Sequence, residues 1–210
     1  MTSEPLGPAD AAVPGVAGAV LTGGASKRMG RDKAFVEVDG AAMVEQALDA
    51  LVAAGCAPLF VVGGDETRLR ALLAARAGRA ERAGSAGRTP VAVEWIADRW
   101  PGEGPLGAIL TALGRTLAPT VVVATDLPAL DAPTVRALLD PAVSEVDVVV
   151  ASTGRPEPLC ARWSPSSLPA LQARFDAGER AVHRAIADLR SVEVPVDAAA
   201  LRNVNRPDDL

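Results

Sequence analysis

The stretch AGAVLTGGASKRMGRDK, residues 17–33, holds two kinds of chemistry in direct succession. Ala17 to Leu21 is a short apolar run without polar alternation, the pattern of a strand buried on both faces. It breaks at Thr22 into a loop that carries adjacent glycines, Gly23 and Gly24, and then four cations within seven residues: Lys27, Arg28, Arg31 and Lys33. Backbone amides exposed by glycine donate to phosphate oxygens, and Lys and Arg heads neutralise their charge, so the loop is suited to a polyphosphate. It lacks the Gly-Lys-Ser/Thr of a P-loop and the spaced glycines of a dinucleotide fingerprint. The alternative reading is a solvated turn with incidental charges.

Working outward, the same strand, loop and helix rhythm repeats. Residues 41–54 place Met43, Val44, Ala47, Leu48, Leu51 and Val52 at helical spacing before a stop at Gly55. Strands are expected at 59–62, 91–96, 120–124 and 146–151, with helices at 66–76, 106–117 and 134–139. Residues 78–90, rich in Gly, Arg, Ser and Ala, read as surface loop. After residue 151 a strand at 159–163 has the spacing of an antiparallel return, followed by helices at 167–176 and 179–189 and a strand at 192–196. These features predict an α/β fold with a mostly parallel central sheet, one antiparallel strand and helices on both faces. Residues 1–16 read as a disordered tail and 17–210 as one domain.

Composition narrows the chemistry. A net charge of -5 and a pI near 5.0 argue against a general nucleic-acid or membrane-surface partner. Two cysteines, Cys56 and Cys160, without a CxxC exclude a Cys-rich zinc site and a disulfide framework, and the expected compartment is a reducing cytoplasm. One histidine, His183, leaves no room for a His-rich metal centre, and its place in a helical stretch reads as surface or packing. Cys160 reads as a small buried hydrophobe, and Trp95, Trp100 and Trp163 as packing residues, with stacking on a purine or pterin the alternative. No run has the length of a membrane span.

In parallel sheets ligands bind at the carboxyl ends of the strands. Asp126 stands there in Thr125-Asp126-Leu127-Pro128, either holding Mg²⁺ against a nucleotide's phosphates or capping the turn ahead of Pro128. Asp98 occupies the corresponding place after the third strand, ahead of the Gly/Pro loop 100–107.

Taken in order, LTGGASKRMGRDKA (21–34), Asp98 with GPLGAILTAL (104–113), TDLPAL (125–130), PEPLCARW (156–163) and NVNRPDD (203–209) resemble the successive motifs of the molybdenum cofactor guanylyltransferases. The resemblance covers residues 17–210. It implies a Rossmann-like nucleotidyltransferase fold, GTP and Mg²⁺, and transfer of GMP to the terminal phosphate of the molybdenum-bearing pterin, with molybdoenzymes or their chaperones as downstream partners. Carried over residue by residue, Leu21, Thr22, Gly23 and Gly24 lie along the nucleotide, Lys33 contacts its phosphates, Asp98 contacts the nucleotide, and Asp126 binds GTP and Mg²⁺. Arg28, Gly30, Asn203 and Asn205 meet the pterin phosphate, Asn205 also completes the metal site, and Lys33, Arg28 and Asp126 carry the chemistry.

This chain departs from the family's usual residues at Thr22 (Ala), at Thr125 (Cys) and at Gly63-Gly64-Asp65, where an Asn is usual. A cytidylyltransferase for the same pterin, another small-metabolite nucleotidyltransferase, and a non-catalytic nucleotide-binding protein are the alternatives. The Gly23-Gly24 pair leans to the guanylyl branch.

Overall fold

The structure is a computed structural model that describes residues 15–23, 32–82, 91–140, 142 and 145–204. A seven-stranded sheet is built from β1 (Ala17–Leu21), β4 (Leu59–Val62), β5 (Val93–Ile96), β6 (Thr120–Ala124), β7 (Val148–Ser152), β8 (Pro156–Trp163) and β9 (Ser191–Pro195), in the spatial order β5-β4-β1-β6-β8-β7-β9. β8 runs antiparallel between β6 and β7, and the other neighbours pair in parallel. A separate hairpin joins β2 (Glu37–Val38) to β3 (Ala41–Ala42).

β1 lies inside the sheet for the reason its composition suggests: each of its five residues is buried, and it pairs with β4 on one side and β6 on the other. Successive side chains point to opposite faces. Val20 joins Val61, Val121 and Val123 in the core under α1 (Met43–Ala54) and α4 (Ala132–Leu138). Ala17, Ala19 and Leu21 join Phe60, Val62 and Val122 on the other face, under α3 (Pro105–Thr116), α5 (Leu168–Asp176) and α6 (Val182–Ala185). α1 buries seven apolar side chains and α3 six, whereas α4, α5 and α6 bury two each; at about 1.5–3 kcal/mol for each large one, this burial outweighs the weak intrinsic propensities of such short segments.

Local signals behave as their chemistry dictates. α1 stops at Gly55, whose φ of 94° suits glycine and whose N–H returns to the Leu51 and Val52 carbonyls. α4 starts where the Asp131 carboxylate accepts from the Thr134 N–H at 2.9 Å.

Several expectations need correction. Val16, assigned to the tail, is buried, and its carbonyl accepts from the Ala57 N–H at 2.9 Å. The helix expected from residue 41 begins at Met43, because Ala41–Ala42 pairs with Glu37–Val38. α2 (Glu66–Arg82) runs past the expected end at 76 into the stretch read as surface loop: Arg76 and Arg79 reach Asp49 and Glu45 on α1, so the helix is held by cross-helix ion pairs that periodicity does not reveal. Conversely, the helix expected at 179–189 is the single turn Val182–Ala185. The Glu179 carboxylate takes the Arg180 and Ala181 N–H groups and delays its start. Residues 1–14 and 83–90 of the expected tail and loop lie outside the described residues.

Candidate active site

Register alone brings the key loops to one edge. Leu21 pairs with Val62 and Ala124, and Val62 pairs with Ile96, so four parallel strands end level. The next residues along each chain are Thr22-Gly23, Gly63-Gly64, Ala97-Asp98 and Thr125-Asp126. This is the carboxyl-end edge where open α/β sheets take ligands.

Two hydroxyls tie the strand ends together. The Thr125 N–H and Oγ1 both donate to the Leu21 carbonyl, at 3.3 and 2.6 Å. The Thr22 N–H donates to the Val62 carbonyl at 3.0 Å, and Thr22 Oγ1 lies 3.0 Å from that oxygen and 2.9 Å from the Gly63 carbonyl. Both threonines are buried. Their side chains thus tie β4 to β1 and β1 to β6.

Asp98 is fixed by the loop it opens. Its Oδ1 accepts from the Trp100 N–H at 3.0 Å and faces Thr111 Oγ1 at 3.3 Å, while that hydroxyl also lies 3.0 Å from the Gly107 carbonyl and accepts from the Arg99 N–H. With Oδ1 anchored, Oδ2 faces Gly23: a methyl on Gly23 would stand 3.8 Å from it. A methyl on Gly63 would stand 3.4 Å from Asp98 Cβ and 3.5 Å from Gly23 Cα. Glycine at both places leaves a bare backbone surface with a carboxylate at its rim.

Across the edge, Asp32 caps a short helical turn, Lys33–Phe35, by accepting from the Ala34 N–H at 3.0 Å. This turn sends Lys33 toward the end of β6, where its Nζ lies 3.1 Å from Asp126 Oδ2. The two side chains come from segments 93 residues apart and are 19% and 24% exposed, so both heads are partly desolvated yet open to a ligand. The Asp126 carbonyl accepts from the Val204 N–H at 3.0 Å, which draws the C-terminal segment and its exposed Asn203 beside the acidic side of the site.

The profile of the MobA-like NTP transferase domain matches residues 18–193. This chain belongs to the MobA-like NTP transferase family. The transferase is 31% identical to the probable molybdenum cofactor guanylyltransferase of Opitutus terrae over 205 residues, 92% of each chain. It is 30% identical to the molybdenum cofactor guanylyltransferase of Rhodobacter capsulatus over 93% of each chain. Among solved structures, molybdopterin-guanine dinucleotide biosynthesis protein A from Archaeoglobus fulgidus superimposes with a TM-score of 0.69 at 26% identity, covering 91% of this chain and 93% of that one. The protein is therefore a nucleotidyltransferase, an enzyme of molybdenum cofactor biosynthesis, and such enzymes typically work with a divalent metal ion.

The transferase brings Leu21, Thr22, Gly23, Asp98, Lys33, Asp126 and Asn203 to the same edge of its sheet. Gly24, Arg28, Gly30 and Asn205 lie outside the described residues. Among the described residues no three His, Cys, Asp or Glu side chains gather as a metal cluster, and Asp126 is the carboxylate at the end of β6. Its carboxylate already faces one cation, Lys33 Nζ, and a carboxylate oxygen is the hard donor that Mg²⁺ takes; the residues fit the ion.

Sequence reasoning missed Thr111 and Trp95. Thr111 is a buried hydroxyl amid apolar neighbours on α3, a signal that was available. The Trp95 Nε1 donates to the Gly63 carbonyl at 2.8 Å. Trp100 packs on Phe175 with ring centroids 5.1 Å apart, Trp163 is fully buried, and His183 is exposed. Both cysteines are buried, and burial pushes each thiol up to about 12, with the Glu157 charge a lesser cause at Cys160. Among the described residues no helix is long and apolar enough to cross a membrane.

Proposed function

We propose that this nucleotidyltransferase moves the GMP unit of GTP onto the phosphate of molybdenum-molybdopterin and releases pyrophosphate. The observation that carries this reading is the convergence of Lys33 and Asp126 at 3.1 Å, on the edge where the glycine surface of Gly23 and Gly63 meets Asp98. The similarity to guanylyltransferases supports GTP over CTP.

An acceptor phosphate oxygen attacks the α-phosphorus, the bond to the bridging α–β oxygen breaks, and the electron pair leaves with pyrophosphate. A phosphate monoester with a second pKa of about 6 is largely ionised at neutral pH, so no protein base is required. The protein must instead align two anions and neutralise their charge. In this reading Lys33 exchanges Asp126 for the β- and γ-phosphate oxygens when GTP arrives, and Leu21, Thr22, Gly23 and Gly24 line the nucleoside. Asp98 accepts from the nucleotide through its unanchored Oδ2. Arg28, Gly30, Asn203 and Asn205 hold the acceptor phosphate. Asp126 with Asn205 would hold Mg²⁺, which when bound supplies positive charge to the phosphates. The catalytic domain spans residues 17–210, the reaction belongs to the cytoplasm, and the product passes to molybdoenzymes or their chaperones.

The test follows label from the α-phosphate of GTP into a dinucleotide form of the pterin, with Mg²⁺ present or chelated. Asp126→Asn is expected to lower turnover by about 10²- to 10³-fold, the usual loss when a charge-stabilising group is removed, with the fold intact by circular dichroism. Equal or faster transfer from CTP, or an undiminished Asp126→Asn variant, would overturn the reading.

A further inference from the structure

The Gly63-Gly64 turn is held from two sides by hydrogen-bonding side chains, Thr22 at the end of β1 and Trp95 on β5. From β5, the Trp95 indole N–H donates to the Gly63 carbonyl at 2.8 Å; from β1, the Thr22 hydroxyl approaches the same oxygen at 2.9 Å. The indole N–H is committed to this oxygen, while the single Thr22 hydroxyl proton is shared between it and the Val62 carbonyl at 3.0 Å. The Gly63 N–H is committed as well, donating to the Ile96 carbonyl at 2.9 Å. Both glycines have positive φ, 74° and 72°. At Gly64 a methyl would stand only 2.7 Å from Thr22 Oγ1 and 2.9 Å from Leu69 Cδ1, so the hydroxyl and a side chain at 64 exclude one another.

We infer that Thr22 and Trp95 form a positioning clamp that fixes the Gly63-Gly64 turn as one wall of the base pocket and thereby sets the preference for the guanine base. The inference rests on the proposed use of GTP and deepens it. Gly63 borders Gly23 and Asp98, both assigned to the nucleotide, so any drift of this turn alters the gap between the glycine surface and the Asp98 carboxylate. A planar base hydrogen-bonded at its edge is sensitive to shifts of a fraction of an ångström, because hydrogen bonds weaken steeply with misalignment. With its carbonyl engaged by the indole N–H and faced by the Thr22 hydroxyl, Gly63 offers the base shape more than an acceptor, and the carboxylate of Asp98 is the acceptor beside it.

Thr22→Val deletes a donor at nearly constant volume, Trp95→Phe deletes one with a smaller ring, and Thr22→Ser restores the hydroxyl. Titration calorimetry with GTP and CTP reads the clamp without turnover, and steady-state assays add KM and kcat. Expected are a rise of about 5- to 10-fold in the GTP dissociation constant and KM for each deletion, the size of effect one lost hydrogen bond produces, with the kcat of Trp95→Phe, which lies outside the nucleotide contacts, within about twofold. The GTP-to-CTP preference should narrow, and Thr22→Ser should lie near the wild type. Were Trp95→Phe to misfold, the Val and Ser variants at Thr22 would still decide. A wild type that binds GTP and variants that bind it equally well would overturn the clamp while leaving the proposed function standing. Weakened binding in the variants of a protein that makes no dinucleotide would do the reverse. A wild type without affinity for GTP would overturn both.

Discussion

Gly18, in the middle of β1, is the position where adding one carbon should do most harm for its size. A methyl built on its backbone stands 2.6 Å from Leu59 Cδ2, 3.1 Å from Leu51 Cδ1 and 3.3 Å from Cys56 Cβ, against an ordinary carbon–carbon contact of about 3.5–4.0 Å. Leu59, Leu51 and Cys56 are fully buried, so the leucine tips have no open space to rotate into and the strand or α1 must yield. Overpacking of this kind costs about 1–3 kcal/mol. Replacing glycine returns about 0.5–1 kcal/mol by restricting the unfolded chain. The net expectation for Gly18→Ala is a loss of about 1 kcal/mol and at most about 2.5 kcal/mol, which for a chain of this length lowers Tm by about 2–4 °C for each kcal/mol lost. Urea unfolding followed by tryptophan fluorescence measures it, and Gly18→Val should be worse. An alanine variant as stable as the wild type, with the same denaturant slope, would refute the claim that β1 is packed to contact here.

Two further expectations concern titration. The Asp147 carboxyl is held well below its ordinary value of 3.8, chiefly by the Arg190 guanidinium at 2.9 Å and next by the Ser166 hydroxyl at 2.7 Å. A depressed folded-state value stabilises above the unfolded one and fades as pH falls through the folded one, so Asp147→Asn should be less stable than wild type at pH 7, with the gap closing progressively below pH 3.8 in urea titrations. A gap that stays constant from pH 7 to the acid limit would contradict this. Because burial raises both thiols to about 12, Cys56 and Cys160 should resist an aromatic disulfide reagent at pH 8 in the native protein and both react once it is unfolded. A fast-reacting thiol in the folded protein would show one of these pockets to be open.

Much of this molecule was legible in the chain. Apolar runs at 17–21, 59–62 and 120–124 became parallel strands because their lack of alternation demands burial on both faces, and Gly55 ended α1 as a left-handed cap must. The antiparallel placement of β8 was legible from the short connection after residue 151. The lengths of α2 and α6 were not, because they depend on Arg76 and Arg79 finding α1 and on Glu179 taking the first amides of the next turn.

At the site, sequence determined which residue types were present: a glycine loop, a cluster of cations and carboxylates directly after apolar strands, chemistry fit for two phosphates without an imidazole. Tertiary structure decided their partners. Only strand register sets Leu21, Val62, Ile96 and Ala124 level, and only then do Lys33 and Asp126, 93 residues apart, meet at 3.1 Å. Thr22, Thr125 and Trp95 took on partners that their own neighbours in the chain do not predict. A hydroxyl or an indole N–H commits to whichever carbonyl the fold brings within about 3 Å, and that distance is a property of the packed sheet.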